Sequence, residues 1–239
     1  MYRERWSDAA HAVLWTRVVR PGATDLRVLP DGCLDIIWLD GRLIVAGPDT
    51  TAQVGEDPPG ARYVGLRFPP GTGPALLGVP AHELRDRRVP LDALWPASLV
   101  RRLAERIAEA PDLAGAVESV AAQRRRETPP ADPAMRAVAG LLDRGAPVAT
   151  AADAVGLSER QLHRRSLAAF GYGPKTLARV LRLGRAVGLA RGGTPFAEVA
   201  ARAGYADQAH LAREVKALAG VPLGQLVGQN SSTLLPSGS

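Results

Sequence analysis

The chain has 239 residues, 46% hydrophobic and 23% charged, which suits a soluble globular protein with room for two ordinary domains. No apolar signal core opens the sequence and no apolar run approaches the ~20 residues that cross a bilayer, which points to a cytoplasmic protein without a membrane partner. The net charge of +6 is uneven: residues 129–239 hold 13 Lys and Arg against 7 Asp and Glu, residues 1–128 hold 17 of each, and so a polyanionic partner is expected for the C-terminal half.

Residues 11–68 read as strands. Apolar or alternating runs at 11–19, 33–39, 43–45 and 63–68 are separated by Pro21-Gly22, Asp31-Gly32, Asp40-Gly41, Pro59-Gly60 and Pro70-Gly71. Asp40-Gly41 between two such runs signals a two-residue hairpin. The spacing predicts a small β-barrel or sandwich-like unit. A short turn is expected at 75–77. A helix is expected at 92–109, where Leu94, Leu99, Leu103 and Ile107 recur at helical spacing, and a second at 113–123 after Pro111. The run Arg124-Arg-Arg126 and the prolines at 129, 130 and 133 mark a linker, with the domain boundary near Thr128.

Everything beyond is helical. Residues 133–143 form one helix. The pattern Pro147…Gly156…Leu162-His-Arg164 then returns as Pro195…Gly204…Leu211-Ala-Arg213, 48 residues on at the proline and glycine and 49 at the leucine and arginine. Each copy reads as a helix, a tight glycine turn and a second helix, the device that places side chains in a DNA major groove. A helix at 175–190, about 24 Å long at about 1.5 Å per residue, joins the copies. Gly192-Gly193 ends it and Pro195 opens the next helix. Residues 229–239 read as a disordered tail, which leaves 1–127 as an expected effector-binding or dimerisation domain and 128–228 as a DNA-binding domain.

In the first copy Ser158 is the expected N-cap, completed by Gln161 as a capping box. Leu162, Ala169 and Phe170 face inward, while Arg160, His163, Arg164 and Leu167 fall on the other side. Arg pairs bidentately with guanine and His bonds a base edge, so Arg160, His163 and Arg164 are the base-reading candidates. In the second copy Asp207 caps a helix that buries Leu211, Val215 and Leu218 and exposes Gln208, Ala209, His210, Ala212 and Arg213. Gln reads adenine and Ala meets the thymine methyl. Thr150, Arg165, Lys175, Arg179 and Lys216 are phosphate candidates, while Arg182 and Arg185 face the DNA backbone or solvent. Singly, each of these residues reads as well as part of a solvated helix face. The matched set of caps, turns and basic-polar faces does not.

At this point residues 131–227 resemble the AraC-type transcriptional regulators, a family with two helix-turn-helix units joined by a long helix. The resemblance rests on Ala-Val-Gly156-Leu-Ser158, Leu162-His-Arg164-Arg, Phe170-Gly-Tyr-Gly-Pro174, Val199-Ala-Ala-Arg-Ala-Gly204-Tyr-Ala-Asp207-Gln, Leu211-Ala-Arg213 and Gly220-Val-Pro222. It implies a regulator that binds duplex DNA, with a small-molecule effector, RNA polymerase and a second copy of the chain as further candidate partners. Two positions depart from the family pattern: Ser166 and Val215 stand where an aromatic residue usually follows the recognition-helix arginine. Glu214 also adds a negative charge near the second reading face. The N-terminal half looks similar to a sensor domain of some AraC-type proteins through Arg27-Val-Leu-Pro-Asp31-Gly-Cys-Leu-Asp35, Ala46-Gly-Pro48, Gly65-Leu-Arg-Phe68-Pro and Leu77-Gly-Val-Pro80-Ala.

Enzyme chemistry finds little support. The four histidines include two on the proposed DNA faces, and the remaining His11 and His82 are too few for a clustered metal centre. No dinucleotide fingerprint, phosphate loop or nucleophile elbow is present. Asp31 reads as a turn residue and the single cysteine, Cys33, as a small buried one. No catalytic residue, metal or cofactor is expected. For an effector, Trp15 and Trp38 offer apolar area and Arg67 an anchor for an anion, although the tryptophans read more simply as core. Two rival readings stand beside the regulator: a ligand-binding protein or enzyme whose helical half has lost DNA binding, and an architectural DNA binder without sequence preference.

Overall fold

The computed structural model describes residues 2–19, 26–55, 57–228 and 233–234. The N-terminal part is built on a six-stranded antiparallel sheet of β1 (Tyr2–Ser7), β2 (Ala12–Val18), β4 (Leu34–Leu39), β5 (Arg42–Ala46), β7 (Arg62–Phe68) and β8 (Arg88–Pro90), in the order β1-β2-β7-β4-β5-β8. A smaller sheet holds β3 (Leu26–Val28) between β6 (Gln53–Gly55) and the parallel β9 (Thr233–Leu234). Apart from β9, residues 229–239, expected as a tail, lie outside the described residues. The hairpin expected at Asp40-Gly41 joins β4 to β5, with both residues at positive φ (45° and 83°), the backbone that an Asp-Gly hairpin turn needs.

Strand alternation gives the large sheet two different faces. Leu34, Ile36 and Trp38 of β4 and Val64, Leu66 and Phe68 of β7 enter the hydrophobic core. Helices cover this face: α1 (Gly73–Leu77), α2 (Ala97–Ala108) and α3 (Leu113–Glu127). Val100, Leu103 and Ile107 from α2 and Val117, Val120 and Ala121 from α3 join the same core, the larger side chains worth roughly 1.5–3 kcal/mol each. The single helix expected at 92–109 is divided. A 3-10 turn at Leu91–Ala93 precedes Pro96, which caps α2. The residue before a proline is pushed out of the helical region, and Trp95 there donates its indole N–H to the Leu77 carbonyl at 3.1 Å. The Arg124-Arg126 run belongs to the last turn of α3 rather than to a linker, where positive charge suits the helix C-terminus.

The C-terminal part is all helical: α4 (Pro133–Asp143), α5 (Val148–Asp153), α6 (Glu159–Phe170), α7 (Pro174–Arg191), α8 (Phe196–Ala203), α9 (Gln208–Ala219) and α10 (Leu223–Gly228). It has two cores. Met135, Val138, Leu142, Leu162 and Phe170 pack with Leu177 and Val180 from the first half of α7. Leu183, Val187 and Ala190 from its second half pack with Val199, Leu211, Val215 and Leu226. The 18-residue α7, about 27 Å at about 1.5 Å per residue, is therefore a rod shared by both units. The chain is mixed α+β. Among the described residues, no helix is long and apolar enough to cross a membrane.

Candidate nucleic-acid interface and effector cavity

The two helix-turn-helix units are built alike. α5 and α8 begin 48 residues apart, α6 and α9 49 apart, as the repeat spacing requires. The chain enters α6 through Gly156 (φ 65°) and Ser158, whose hydroxyl accepts from Gln161 N while the Gln161 side chain accepts from Ser158 N at 2.9 Å. It enters α9 through Gly204 (φ 84°) and Asp207, whose carboxylate accepts from His210 N at 2.6 Å. Both α6 and α9 have 12 residues and end on a left-handed glycine, Gly171 and Gly220.

Their first halves face solvent. Arg160, His163 and Arg164 are exposed on α6, as are Gln208, Ala209, Ala212, Arg213 and Lys216 on α9. Thr150 and Lys175 are exposed too. The His163 ring lies against Gly173, where an added Cβ would come within 2.7 Å of it. Other expected contacts are occupied within the protein. His210 is half-buried, accepts from Ala206 N at 3.2 Å and meets the Tyr205 ring edge-on, so it braces the turn. Arg165 pairs with Asp132, the N-cap of α4. Arg179 donates to both Glu214 oxygens at 2.8 and 3.0 Å. That contact neutralises the acid expected to weaken the second reading face, and it holds the Glu214 carboxyl below its ordinary range. Arg182 lies over the Tyr205 ring, and Arg185 donates to the carbonyl of Asp143, the last residue of α4. The basic side of α7 is thus largely spent on internal contacts.

The rear ends of α6 and α9 are gripped by the N-terminal part. Arg85 Nη1 donates to the Gly171 carbonyl at 3.3 Å, and His82 Nδ1 lies 3.3 Å from the Leu167 carbonyl. In the second unit Arg27 Nη1 donates to the Ala219 carbonyl at 2.6 Å and Ala52 N to the Leu218 carbonyl at 2.7 Å. α6 and α9 each end on an arginine that meets unsatisfied carbonyls at the negative end of the helix dipole. Nothing in the sequence pattern announced Arg27 or Arg85.

The second face of the large sheet carries charged and apolar side chains together and lines a cavity of about 140 Å³. Trp15 and Arg67, the residues weighed for an effector, line it. Trp38 does not: alternation along β4 sends it to the helix-covered core. The Trp15 indole occupies the space above Gly65, its register partner, where a Cβ would come within 2.2 Å of the ring. Arg67 is 4% exposed and sits opposite Asp35 in the β4–β7 register. Its Nε lies 3.3 Å from Asp31 and 3.5 Å from Asp35, yet among the described residues neither Nε nor Nη1 has a hydrogen-bond partner. Asp35 accepts from Trp15 Nε1 at 2.7 Å, and Asp31 accepts from Cys33 N at 2.8 Å in the Pro-Asp-Gly turn. Arg88 and Asp49 form a two-pronged pair at 2.9 and 2.6 Å. Burial opposes the charge on Arg67, but Asp35 and Asp31 outweigh it and hold the guanidinium firmly protonated. Burial pushes Asp35 up, against the pull of Arg67. Asp31 holds the turn expected of it, but its pairing with Arg67, and that of Asp35, was not read, although opposite charges at Asp35 and Arg67 on strands were the available signal.

Residues 151–229 match a family described as a helix-turn-helix domain (HTH_18), and residues 12–90 match a domain of unknown function (DUF6597). No curated protein matches the chain. Among solved structures, an apo ToxT variant from Vibrio cholerae strain SCE256 is 12% identical, with a TM-score of 0.52 over 91% of this chain and 98% of that one. A second ToxT structure from Vibrio cholerae, also 12% identical, has a TM-score of 0.51 over 91% and 99%. A probable AraC family transcriptional regulator from Rhodopseudomonas palustris is 23% identical over 41% of this chain and 97% of that chain, with a TM-score of 0.36. The ToxT likeness is one of fold and spans both parts of the molecule. Residues 151–229 thus carry a helix-turn-helix domain similar to those of AraC-type regulators.

Proposed function

We propose that this protein is a sequence-specific regulator that reads two adjacent major-groove segments, one with the first half of α6 and one with the first half of α9, under the control of a small molecule bound by residues 1–127. The observation that carries the reading is the matched pair: two 12-residue helices with exposed polar-basic first halves, held on one rod. Arg160, His163 and Arg164 are assigned to base edges in the first segment, and Gln208, Ala209, Ala212 and Arg213 to those in the second. Thr150, Lys175 and Lys216 are assigned to phosphates. The excess positive charge of residues 129–239 supports a polyanionic partner. The grip of the N-terminal part on both helix ends gives an effector a route to the reading heads. RNA polymerase and a second copy of the chain complete the proposed partners.

Selection of bound fragments from random duplex DNA, using the full chain at several salt concentrations, tests the reading. Recurring sites with two elements about one helical turn apart are expected. Salt-dependent retention without an enriched sequence would make the protein an architectural binder, and no retention at all would favour a ligand-binding protein that has left DNA.

A further inference from the structure

The cavity behind the large sheet carries a specific chemical demand. Arg67 is buried and charged, and two of its nitrogens make no hydrogen bond among the described residues, although Nε lies beside two carboxylates. A buried donor left unsatisfied destabilises the fold, the more so when charged, and Arg67 lines a space with room to satisfy it. Engineered cavities of roughly 150 Å³ accept a benzene-sized molecule, and this one, at about 140 Å³, is comparable. Part of its wall is apolar, from Trp15, Leu29, Ile37 and Ala46.

The charge balance decides which acceptor fits. Arg88 is taken by Asp49, and Arg17 is taken by Asp57. Arg67 alone faces two carboxylates, Asp31 and Asp35. A carboxylate ligand would meet an arginine already outnumbered and would stand close to both aspartates. A neutral oxygen meets the unsatisfied N–H groups without that repulsion. This reverses the sequence-based expectation that Arg67 anchors an anion.

We infer that this cavity binds a compact, uncharged molecule with a ring-sized apolar body, which presents a carbonyl or amide oxygen to Arg67. The inference rests on the effector reading above and names the chemistry of that same site. The wall of the cavity also ties it to the DNA-binding part. Val28 and Leu29 line it, Leu29 packs into the core of the second helix-turn-helix unit, and Arg27 beside them caps α9. On the same segment, a Cβ added at Gly32 would come within 2.9 Å of Leu177 and 3.4 Å of the Tyr172 hydroxyl in the first unit.

The test uses the full chain and three matched probes, benzamide, benzoate and benzylamine, by titration calorimetry and thermal shift. Benzamide is expected to bind saturably, with benzoate at least tenfold weaker. Arg67→Lys keeps the positive charge between the aspartates but removes the guanidinium fork, and it should weaken benzamide at least tenfold. Ile37→Trp fills the space from a different strand and should abolish binding even if the Arg67 variant folds poorly. Binding of none of the probes, benzoate binding as tightly as benzamide, or benzamide binding unchanged in both variants would overturn the inference. Retention of duplex DNA by the ligand-free protein is measured beside it. Failure of the probes with retention intact sinks the cavity assignment alone, whereas loss of retention sinks the DNA-binding reading whatever the probes do.

Discussion

The two helix-turn-helix units share a backbone plan and differ in how they fill it. In α6 the buried pair one turn apart is Ser166 and Phe170; at the matching places in α9 it is Val215 and Ala219. The first unit sets a small residue before a large one, and the second sets a medium residue before a small one. Their reading faces differ as well. α6 exposes Arg160, His163 and Arg164, whereas α9 exposes Gln208, Ala209, Ala212 and Arg213 beside an acid tied to Arg179. One scaffold thus carries a strongly basic head and a weakly basic one. Groove geometry can be repeated while core volume and surface charge are redistributed, because core packing depends on total volume and pattern rather than on the identity of each side chain.

The largest expected effect breaks the first unit alone. Phe170→Ala empties a site that is 1% exposed and should cost about 3–5 kcal/mol in chemical denaturation. Val215→Ala, the larger of the two matched side chains in the second core, should cost about 2 kcal/mol. If the two losses were equal, the packing difference between the units would carry no energetic weight.

The reading heads come next. Arg164→Ala should weaken the cognate site by about 1–3 kcal/mol and relax preference at one position, as measured by gel shift on cognate and random duplexes. Arg213→Ala should have the same character in the second segment. An equal loss on both duplexes would remove the base-reading role. Lys216→Ala should weaken binding to all duplexes alike and lower the salt slope by about 1.

A smaller change sharpens the contrast in the cores. The Ser166 hydroxyl is buried without a partner, so Ser166→Ala should be neutral or stabilise by up to about 1 kcal/mol. A clear loss of stability would mean that the hydroxyl is satisfied in solution. The smallest effect is at Glu214. Arg179 depresses its folded carboxyl value, so the contribution of the pair is present above the unfolded carboxylate range of about 4.3 and fades as pH falls through the lower folded value. Arg179 is 44% exposed, so Glu214→Gln should cost under about 0.5 kcal/mol at neutral pH and nothing at pH 2. A loss that persists in acid would point to packing instead.

Legibility in the sequence followed the range of the interactions. The caps at Ser158 and Asp207, the turns at Gly156 and Gly204 and the Asp40-Gly41 hairpin are local, and each was readable from a few neighbouring residues. α4 ran over the expected residues for the same reason. What depended on distant partners was not readable. The short edge strand β1 acquires its role only by pairing with β2, and α10 acquires its own by burying Leu223 and Leu226 in the second core. Trp38 took the simpler of its two readings, the core, while Trp15 lines the cavity, because composition does not say which face of a strand meets helices. Arg165 and Arg179 were read as phosphate contacts because a cation on a helix looks the same whether it meets a phosphate or an acid 33 or 35 residues away, and His210 as a base reader because its bond to Ala206 N and its contact with Tyr205 appear only in the folded turn. Asp31 and Asp35 gained meaning only once β4 lay beside β7 and brought Arg67 between them.

A hydroxyl-radical footprint of the full chain on a selected site tests the central claim most directly. Two heads fixed on one rod should protect two short tracts on the same face of the duplex, about 10 base pairs apart, with the first tract lost in Arg164→Ala and the second in Arg213→Ala. A single protected tract, or two tracts lying half a turn out of phase, would contradict the account.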